Sequence, residues 1–234
     1  MSVLSILALL VIFPLIPPQR YFVSQKGQLA KQFQLAMQHL TTAKTSLAML
    51  IGGLNFAIFI NLYSIMTFKL SAAPISLPAS AISLIFLCYL SGTLSAKLSG
   101  RWLQHHGVFT GLFLGIAVCV VGLAIMSLQT LVTILMGLVV LSAGAFFIHS
   151  LAYGYVGRTA TKGKSTATAL YLVMYYAGGS LGGFGLIYCW QVGGWSLVLI
   201  AAVLVYCLML LLTLFLKSKN QSRVAMQVIS MSVD

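Results

Sequence analysis

The stretch GRTATKGKST, residues 157–166, decides the fold because it joins two long apolar runs. It is close to a phosphate-binding loop, which requires glycine, four residues and then Gly-Lys-Ser or Gly-Lys-Thr. Counting back from Gly163, however, the first glycine would stand at position 158, which is Arg158. Such a loop also joins a buried strand to a helix, and neither flanking run is typical of a strand. The stretch therefore predicts a basic cytoplasmic turn between two membrane helices, not an ATP site.

The composition indicates an integral membrane protein. Of the 234 residues, 60% are hydrophobic and 6% are charged, whereas soluble globular chains contain about 25% charged residues. So few charges cannot cover a water-soluble surface, and the expected partner of most of the surface is the lipid bilayer. The net charge of +12 does not indicate a nucleic-acid partner, because the basic residues are not clustered in a soluble domain.

Seven apolar runs approach or exceed the roughly 20 residues that cross a bilayer. The first is short but has neither the basic start nor the cleavage site of a signal peptide. The sequence therefore predicts an all-α membrane protein with seven transmembrane helices. The predicted helices are residues 2–17, 45–68, 75–99, 107–127, 129–151, 166–189 and 195–216.

The basic residues lie on one side of this arrangement. Twelve of the thirteen lysines and arginines fall there, and the exception is Lys69. By the positive-inside rule the N-terminus is outside and the C-terminus is cytoplasmic. The twelve are Arg20, Lys26, Lys31, Lys44, Lys97, Arg101, Arg158, Lys162, Lys164, Lys217, Lys219 and Arg223.

The predicted helices divide the chain into four parts. Residues 1–17 form the first helix, and residues 18–44 form a cytoplasmic linker. Within the linker, apolar residues at helical spacing alternate with lysine and glutamine, which predicts an amphipathic helix on the membrane surface. Residues 45–216 form a six-helix bundle, and residues 217–234 form a polar cytoplasmic tail that is expected to be disordered.

The sequence predicts no enzyme, no cofactor and no metal site. The only acidic residue is Asp234, so there is no pair of carboxylates and no Ser-His-Asp arrangement. The only histidine within a predicted span is His149, which could take up a proton or be a buried neutral side chain. The cysteines lie in apolar runs without CxxC spacing; they are Cys88, Cys119, Cys189 and Cys207.

One helix, an amphipathic linker and six further helices resemble the second half of a major facilitator superfamily transporter. The resemblance implies that residues 2–17 correspond to the sixth helix of that fold, and residues 45–216 to the seventh to twelfth. Two stretches resemble bacterial drug and metabolite efflux permeases of this superfamily: residues 63–80, which contain Lys69, and residues 149–183, which contain Arg158.

The stretch GRWLQHHG, residues 100–107, resembles the cytoplasmic loop pattern Gly-x-x-x-Asp-Arg-x-Gly of the superfamily. Gly100 and Gly107 keep the frame, while Gln104 and His105 stand where the acid and the arginine would be. The resemblance implies a gating role for this loop and for Arg158, although the charged latch is lost. The alternative is an ordinary interfacial turn.

Five polar side chains are candidates for the substrate cavity, because asparagine and tyrosine in hydrocarbon need a hydrogen-bond partner or water. They are Asn55, Asn61, Tyr63, Tyr171 and Tyr175. Packing between helices is the alternative. Close helix packing is also predicted for the two offset GxxxG pairs Gly178/Gly182 and Gly179/Gly183, with movement during gating as a further role.

The resemblance implies proton-coupled efflux of a drug or metabolite, an antiporter mechanism and a location in the inner membrane. Its expected partners are a small-molecule substrate and the missing N-terminal half of the transporter. The chain is expected to be truncated and not to transport alone, because alternating access needs both halves. The alternatives are a non-transporting remnant or assembly partner, and a half-transporter that works only as a dimer.

Overall fold

The structure, a computed structural model, describes residues 2–13 and 29–231. Every element in these ranges is helical. The chain divides into two units, Met1–Lys31 and Gln32–Asp234. The helical bundle described below belongs to the second unit. The elements in order are α1 (Ser2–Ile12), α2 (Leu29–Thr41), α3 (Ala43–Ser71), α4 (Ala79–Ser83), a 3₁₀ helix (Leu84–Cys88), α5 (Tyr89–His105), α6 (Val108–Met126), α7 (Leu131–Thr159) and α8 (Lys164–Met231).

Five stretches of the described residues are long and apolar enough to cross a membrane. They are Ala43–Ser71, Ala79–His105, Val108–Met126, Leu131–Thr159 and Lys164–Gln221. The predicted all-α class agrees with these helices. The longest stretch, with 58 residues, would extend about 87 Å, whereas the hydrocarbon core of a bilayer is about 30 Å thick. It is therefore too long for a single crossing.

Gly194 divides α8 into two legs, residues 164–193 and 195–231. Its backbone has φ 59° and ψ −151°, which side chains other than glycine rarely adopt. The ammonium of Lys69, in the last turn of α3, lies 5.3 Å from the centre of the Trp195 ring. Lys44, in the first turn of α3, donates a hydrogen bond to Asn220 (3.1 Å). The second leg therefore begins beside one end of α3 and returns to the other.

This break lies between the predicted helices 166–189 and 195–216. The predicted first helix, residues 2–17, lies only partly within the described residues. There α1 has 11 residues, fewer than the roughly 20 that cross a bilayer. The number of seven transmembrane helices therefore stays a prediction.

Three predicted boundaries differ from the structure. The basic turn is shorter, because α7 continues to Thr159; its 29 residues extend about 44 Å, enough to include the headgroup regions. The helix predicted from residue 75 begins at Ala79, after Pro78, since proline is tolerated at a helix start but not inside. The tail predicted to be disordered instead continues α8 to Met231, with neither glycine nor proline after Gly194 to end the helix.

Glycines bring the first leg of α8 against α3. A Cβ atom added at Gly178 would collide with the backbone of Gly53, and one added at Gly182 would lie 2.5 Å from the Ala57 Cβ. Gly179 and Gly183 face the same helix, against the Phe56 ring and the Asn61 side chain. The numbering rises in the same direction along both contacts, so the two helices run parallel.

A second glycine contact joins α6 to α7. Gly115 lies against Gly144, and Gly122 against Gly137, with each added Cβ atom close to the carbonyl oxygen of the opposite glycine. The numbering rises along one helix as it falls along the other, so these helices are antiparallel. In lipid, where helices associate through close packing, such contacts stabilise the bundle.

We expect Gly178→Ala to destabilise the purified protein by about 1–3 kcal/mol, because the added methyl group would overpack a backbone contact. Gly185→Ala on the same leg is the matched control, since nothing lies within 4 Å of a Cβ atom there. It should be neutral or stabilise by up to about 1 kcal/mol, because alanine favours a helix. Unfolding in detergent measures both, and equal effects would contradict the contact.

Candidate functional site

Polar side chains of α3 bond across the middle of the bundle. The amide nitrogen Nδ2 of Asn61 donates to the carbonyl oxygens of Ala57 and Gly179, both at 2.8 Å. Nδ2 of Asn55 donates to the carbonyl oxygen of Ala145 on α7 (2.9 Å). Both asparagines are buried. The structure therefore places them as bridges to α8 and α7.

Tyr63 makes a third bridge, to Ser142 on α7. Their hydroxyl oxygens are 2.6 Å apart, and the Ser142 hydroxyl also donates to the carbonyl oxygen of Leu138 (2.7 Å). Because a serine hydroxyl has one hydrogen, the Tyr63 hydroxyl is the donor in their shared bond. Tyr63 is also buried, so its hydroxyl serves helix packing in this chain.

His149 lies between tyrosines of α7 and α8. Its Nδ1 atom is 3.2 Å from the Tyr171 hydroxyl, and its ring is 4.4 Å from the Tyr175 ring, between centroids. Tyr153 stands one turn farther along α7, with its ring 6.1 Å from that of His149. Tyr171 is buried, whereas His149 and Tyr175 are half-buried.

The half-buried and exposed rings form one surface, which we call the aromatic wall: Phe56, His149, Tyr153, Tyr175 and Tyr176. Phe56 and Tyr175 stack with centroids 4.0 Å apart, and Tyr176 packs edge-on against both. Tyr176 is 61% exposed and Tyr153 38%. A solute that reached this part of the bundle would meet aromatic faces and hydroxyl groups.

Deeper rings pack against one another on α3, α5 and α7. Phe59, Tyr63, Tyr89 and Phe146 lie with centroids 4.6–6.0 Å apart. The buried hydroxyl of Tyr89 has no hydrogen-bond partner in the part of the chain that the structure describes. These rings are a packed layer and not a surface.

The structure thus separates the five predicted cavity residues. It buries Asn55, Asn61, Tyr63 and Tyr171, and leaves Tyr175 in the aromatic wall. The prediction did not include Phe56, Tyr153 and Tyr176 as site residues. For α7 the sequence does contain a signal: His149 and Tyr153 are one helical turn apart, which places them on the same face of the helix.

The predicted gating residues lie at the ends of α5 and α7. The turn after α5 is held by the Trp102 indole, which donates to the carbonyl oxygen of Gly107 (3.3 Å) and stacks on the His106 ring at 4.1 Å. The remaining candidates are all exposed: Gly100, Gln104, His105 and Arg158. Their gating role stays a prediction.

Lys69 is a structural link at the opposite end of the bundle. Its ammonium donates to Oε1 of Gln129, between α6 and α7, at 2.9 Å, in addition to its contact with Trp195. It therefore joins α3 to two other parts of the bundle. Among the described residues, no group of three or more His, Cys, Asp or Glu side chains could hold a metal ion.

Comparison with known proteins gives a consistent result. The model of the Major Facilitator Superfamily matches residues 1–183. The chain is 31% identical over 183 residues to the uncharacterized MFS-type transporter YybF of Bacillus subtilis (strain 168), covering 78% of this chain and 45% of that protein. It is 29% identical over 180 residues to an uncharacterized transporter of Buchnera aphidicola subsp. Schizaphis graminum, covering 75% and 43%.

A further relative is the inner membrane transport protein YnfM of Escherichia coli (strain K12). It is 27% identical over 161 residues, which are 68% of this chain and 38% of that protein. The chain spans about half the length of the curated relatives it matches.

We expect Tyr63→Phe to destabilise the protein by about 0.5–1.5 kcal/mol, because it removes one hydrogen bond between membrane helices. Tyr188→Phe is the matched control, since that side chain is 65% exposed, and it should change stability by less than about 0.5 kcal/mol. A double-mutant cycle of Tyr63→Phe with Ser142→Ala isolates the bond. A coupling energy of zero would contradict it.

Proposed function

The chain belongs to the Major Facilitator Superfamily, and we propose that it forms one half of a transporter for a small organic molecule. The observation that carries this proposal is the aromatic wall, which presents π faces and hydroxyl groups on three membrane-length helices, α3, α7 and the first leg of α8. Sites of small organic ligands combine apolar and aromatic side chains with a few placed polar groups. Membership of the family supports membrane transport in general, and the aromatic wall supports a small organic molecule as the transported solute.

The complete transporter would need a second helical bundle. The chain covers 45% of its Bacillus subtilis relative, and alternating access rocks one bundle against another around a site near the bilayer midplane. We assign the exposed rings Tyr153 and Tyr176 to the face that meets this second bundle. The partner would be equivalent to the N-terminal half of the relatives.

The substrate class follows from the chemistry of the aromatic wall. Tyrosine and phenylalanine rings favour flat or lipophilic molecules, through offset stacking and edge-on contacts. Hydroxyl groups of Tyr153, Tyr175 and Tyr176 add donors and acceptors for a polar end of the substrate. An aromatic drug or metabolite fits this surface better than a sugar, which would need many more hydrogen-bonding groups.

Proton coupling is proposed for His149. Histidine is the side chain whose ordinary pKa lies closest to neutral pH, and His149 contacts both the buried Tyr171 and the wall ring Tyr175. Uptake of a proton there would alter a hydrogen bond and a ring contact that adjoin the substrate. Efflux in exchange for protons is the direction implied by the resemblance to drug and metabolite permeases.

We expect the purified chain to bind a neutral fluorescent coumarin dye weakly, and Tyr175→Leu to weaken this binding about threefold to tenfold by removing the ring between Phe56 and His149. Tyr175→Phe should keep the affinity within about twofold, since the ring remains. Fluorescence titration in detergent measures the dissociation constants.

Tyr188→Leu is the control for this experiment, because Tyr188 is an exposed tyrosine on the same leg of α8. Equal losses for Tyr175→Leu and Tyr188→Leu would assign the dye to the detergent layer and contradict the proposed site.

Proton-driven flux in vesicles that contain only this chain would contradict the half-transporter role.

The proposed location is the inner membrane, with the N-terminus outside and the C-terminus in the cytoplasm. The end of the bundle that contains Arg158, Lys162 and Lys217 carries far more positive charge than the end that contains Lys69. Positive charge is retained on the cytoplasmic side during insertion. The opposite orientation would place these cations outside.

We expect a membrane-impermeant maleimide to label Leu128→Cys, but not His105→Cys, in intact cells, because these exposed positions lie at opposite ends of the bundle. In inside-out vesicles the reactivity should reverse. The unmodified chain, with its four cysteines, provides the background. Labelling of His105→Cys in intact cells would reverse the proposed orientation.

A further inference from the structure

A polar cavity of about 230 Å³ lies where the end of α2, the start of α3 and the turn after α7 meet. Its chemistry differs from that of the aromatic wall, because all its lining residues except Ala160 are lysine, histidine, glutamine or threonine. The lining residues that matter here are Gln38, His39, Thr42, Lys44, Thr159 and Lys162. It lies at the basic end of the bundle.

The cavity has positive charge and no acidic lining. Lys44 and Lys162 are two of the lining residues, and no acidic residue stands among the described lining residues. The single acidic residue of the whole chain is Asp234. Lys44 donates to the amide oxygen of Asn220 (3.1 Å), which fixes the position of its ammonium group at the edge of the cavity.

Hydrogen bonds hold the walls of the cavity together. His39 is buried, and its Nε2 atom lies 3.1 Å from the carbonyl oxygen of Lys162. A carbonyl oxygen only accepts, so Nε2 carries the proton in this bond. The bond fastens the turn after α7 to α2 and keeps Lys162 at the cavity.

Thr42 connects the end of α2 to the start of α3 at the cavity. Thr42 precedes the helix, but its side chain makes no capping bond to α3; it donates to the carbonyl oxygen of Gln38 instead (2.7 Å). The negative end of the α2 dipole and the positive end of the α3 dipole meet here, so the positive charge of the cavity comes from its lysines. Two lysines therefore lie at one polar cavity, and the Thr42 hydroxyl, whose single hydrogen goes to Gln38, helps to shape its wall.

We propose that this cavity binds a phosphate group of an anionic phospholipid. Compact phosphate oxygens accept hydrogen bonds from ammonium groups, and basic pockets between membrane helices on the cytoplasmic side suit lipid headgroups. The cavity lies beside the amphipathic helix α2 and at the ends of the membrane-length helices α3 and α7, at the level of the headgroups. The proposal does not depend on the transport function.

The test is lipid binding by the whole chain in nanodiscs of mixed phosphatidylcholine and phosphatidylglycerol, followed by native mass spectrometry of the retained lipids. We expect preferential retention of phosphatidylglycerol, and a loss of about fivefold in Lys162→Gln, the effect of one lysine near an anionic surface. Lys162→Arg should retain most of the binding, because the charge and the donors remain.

Lys219→Gln is the matched control. It removes the same charge at the same end of the bundle, but Lys219 lies over the Phe215 ring (5.4 Å) and does not line the cavity. Equal losses in Lys162→Gln and Lys219→Gln would reduce the effect to general charge attraction and overturn the proposal. No loss in Lys162→Gln would also overturn it, provided the variant keeps the unfolding temperature of the parent chain.

Competition with inorganic phosphate distinguishes a lipid headgroup from a free phosphate ion as the ligand, since both present the same phosphate oxygens. We expect millimolar phosphate to compete weakly with phosphatidylglycerol, since it lacks the acyl chains that hold a lipid at the membrane surface. Complete displacement by phosphate, with an equal dependence on Lys162, would assign the cavity to a soluble phosphate and overturn the lipid assignment.

Discussion

The bundle depends on the close approach of helix backbones at glycine. Lipid tails are as apolar as leucine, so burial of apolar surface does little to hold membrane helices together. Their association depends instead on how closely the helices pack. Gly178 against Gly53 fixes the parallel pair α3 and α8, and Gly115 against Gly144 fixes the antiparallel pair α6 and α7. A Cβ atom at Gly178 would collide with the backbone of Gly53, and one at Gly144 would lie 2.8 Å from the carbonyl oxygen of Gly115, so the helices would have to move apart there.

The hydrogen bonds between helices depend on this close packing at glycine. The amide of Asn61 reaches the carbonyl oxygen of Gly179 at 2.8 Å because Gly183, one turn farther along α8, has no side chain to displace the amide. The same packing places Phe56 against Tyr175. Close packing thus has two results: it uses the buried polar groups in bonds between helices, and it leaves the outer rings in a fixed arrangement.

Much of the fold could be predicted from the sequence, but little of the site. Apolar run length predicts the all-α class and the approximate ends of the membrane-length helices, while their number of seven stays a prediction. The surface helix α2 was predicted from its alternation of apolar and polar residues. The sequence could not predict which face of α3 or α7 points into the bundle, because a helix that is apolar on all sides has no apolar stripe to mark its inner face. Tyr63 and Tyr176 are both tyrosines in apolar runs, yet one is buried and the other is 61% exposed.

The stretch that resembled a phosphate loop has a physical explanation in this bundle. Gly163 has φ +58°, and a Cβ atom there would lie 3.1 Å from Leu35 of α2, so glycine permits both the turn and its contact with the surface helix. Thr166 donates to the side chain of Gln32 in the same contact (2.6 Å). The turn therefore holds α2 against the bundle with short-range bonds, and its Lys162 is the residue that we propose to act on anionic lipid through charge. Backbone geometry and charge explain the same few residues without a nucleotide.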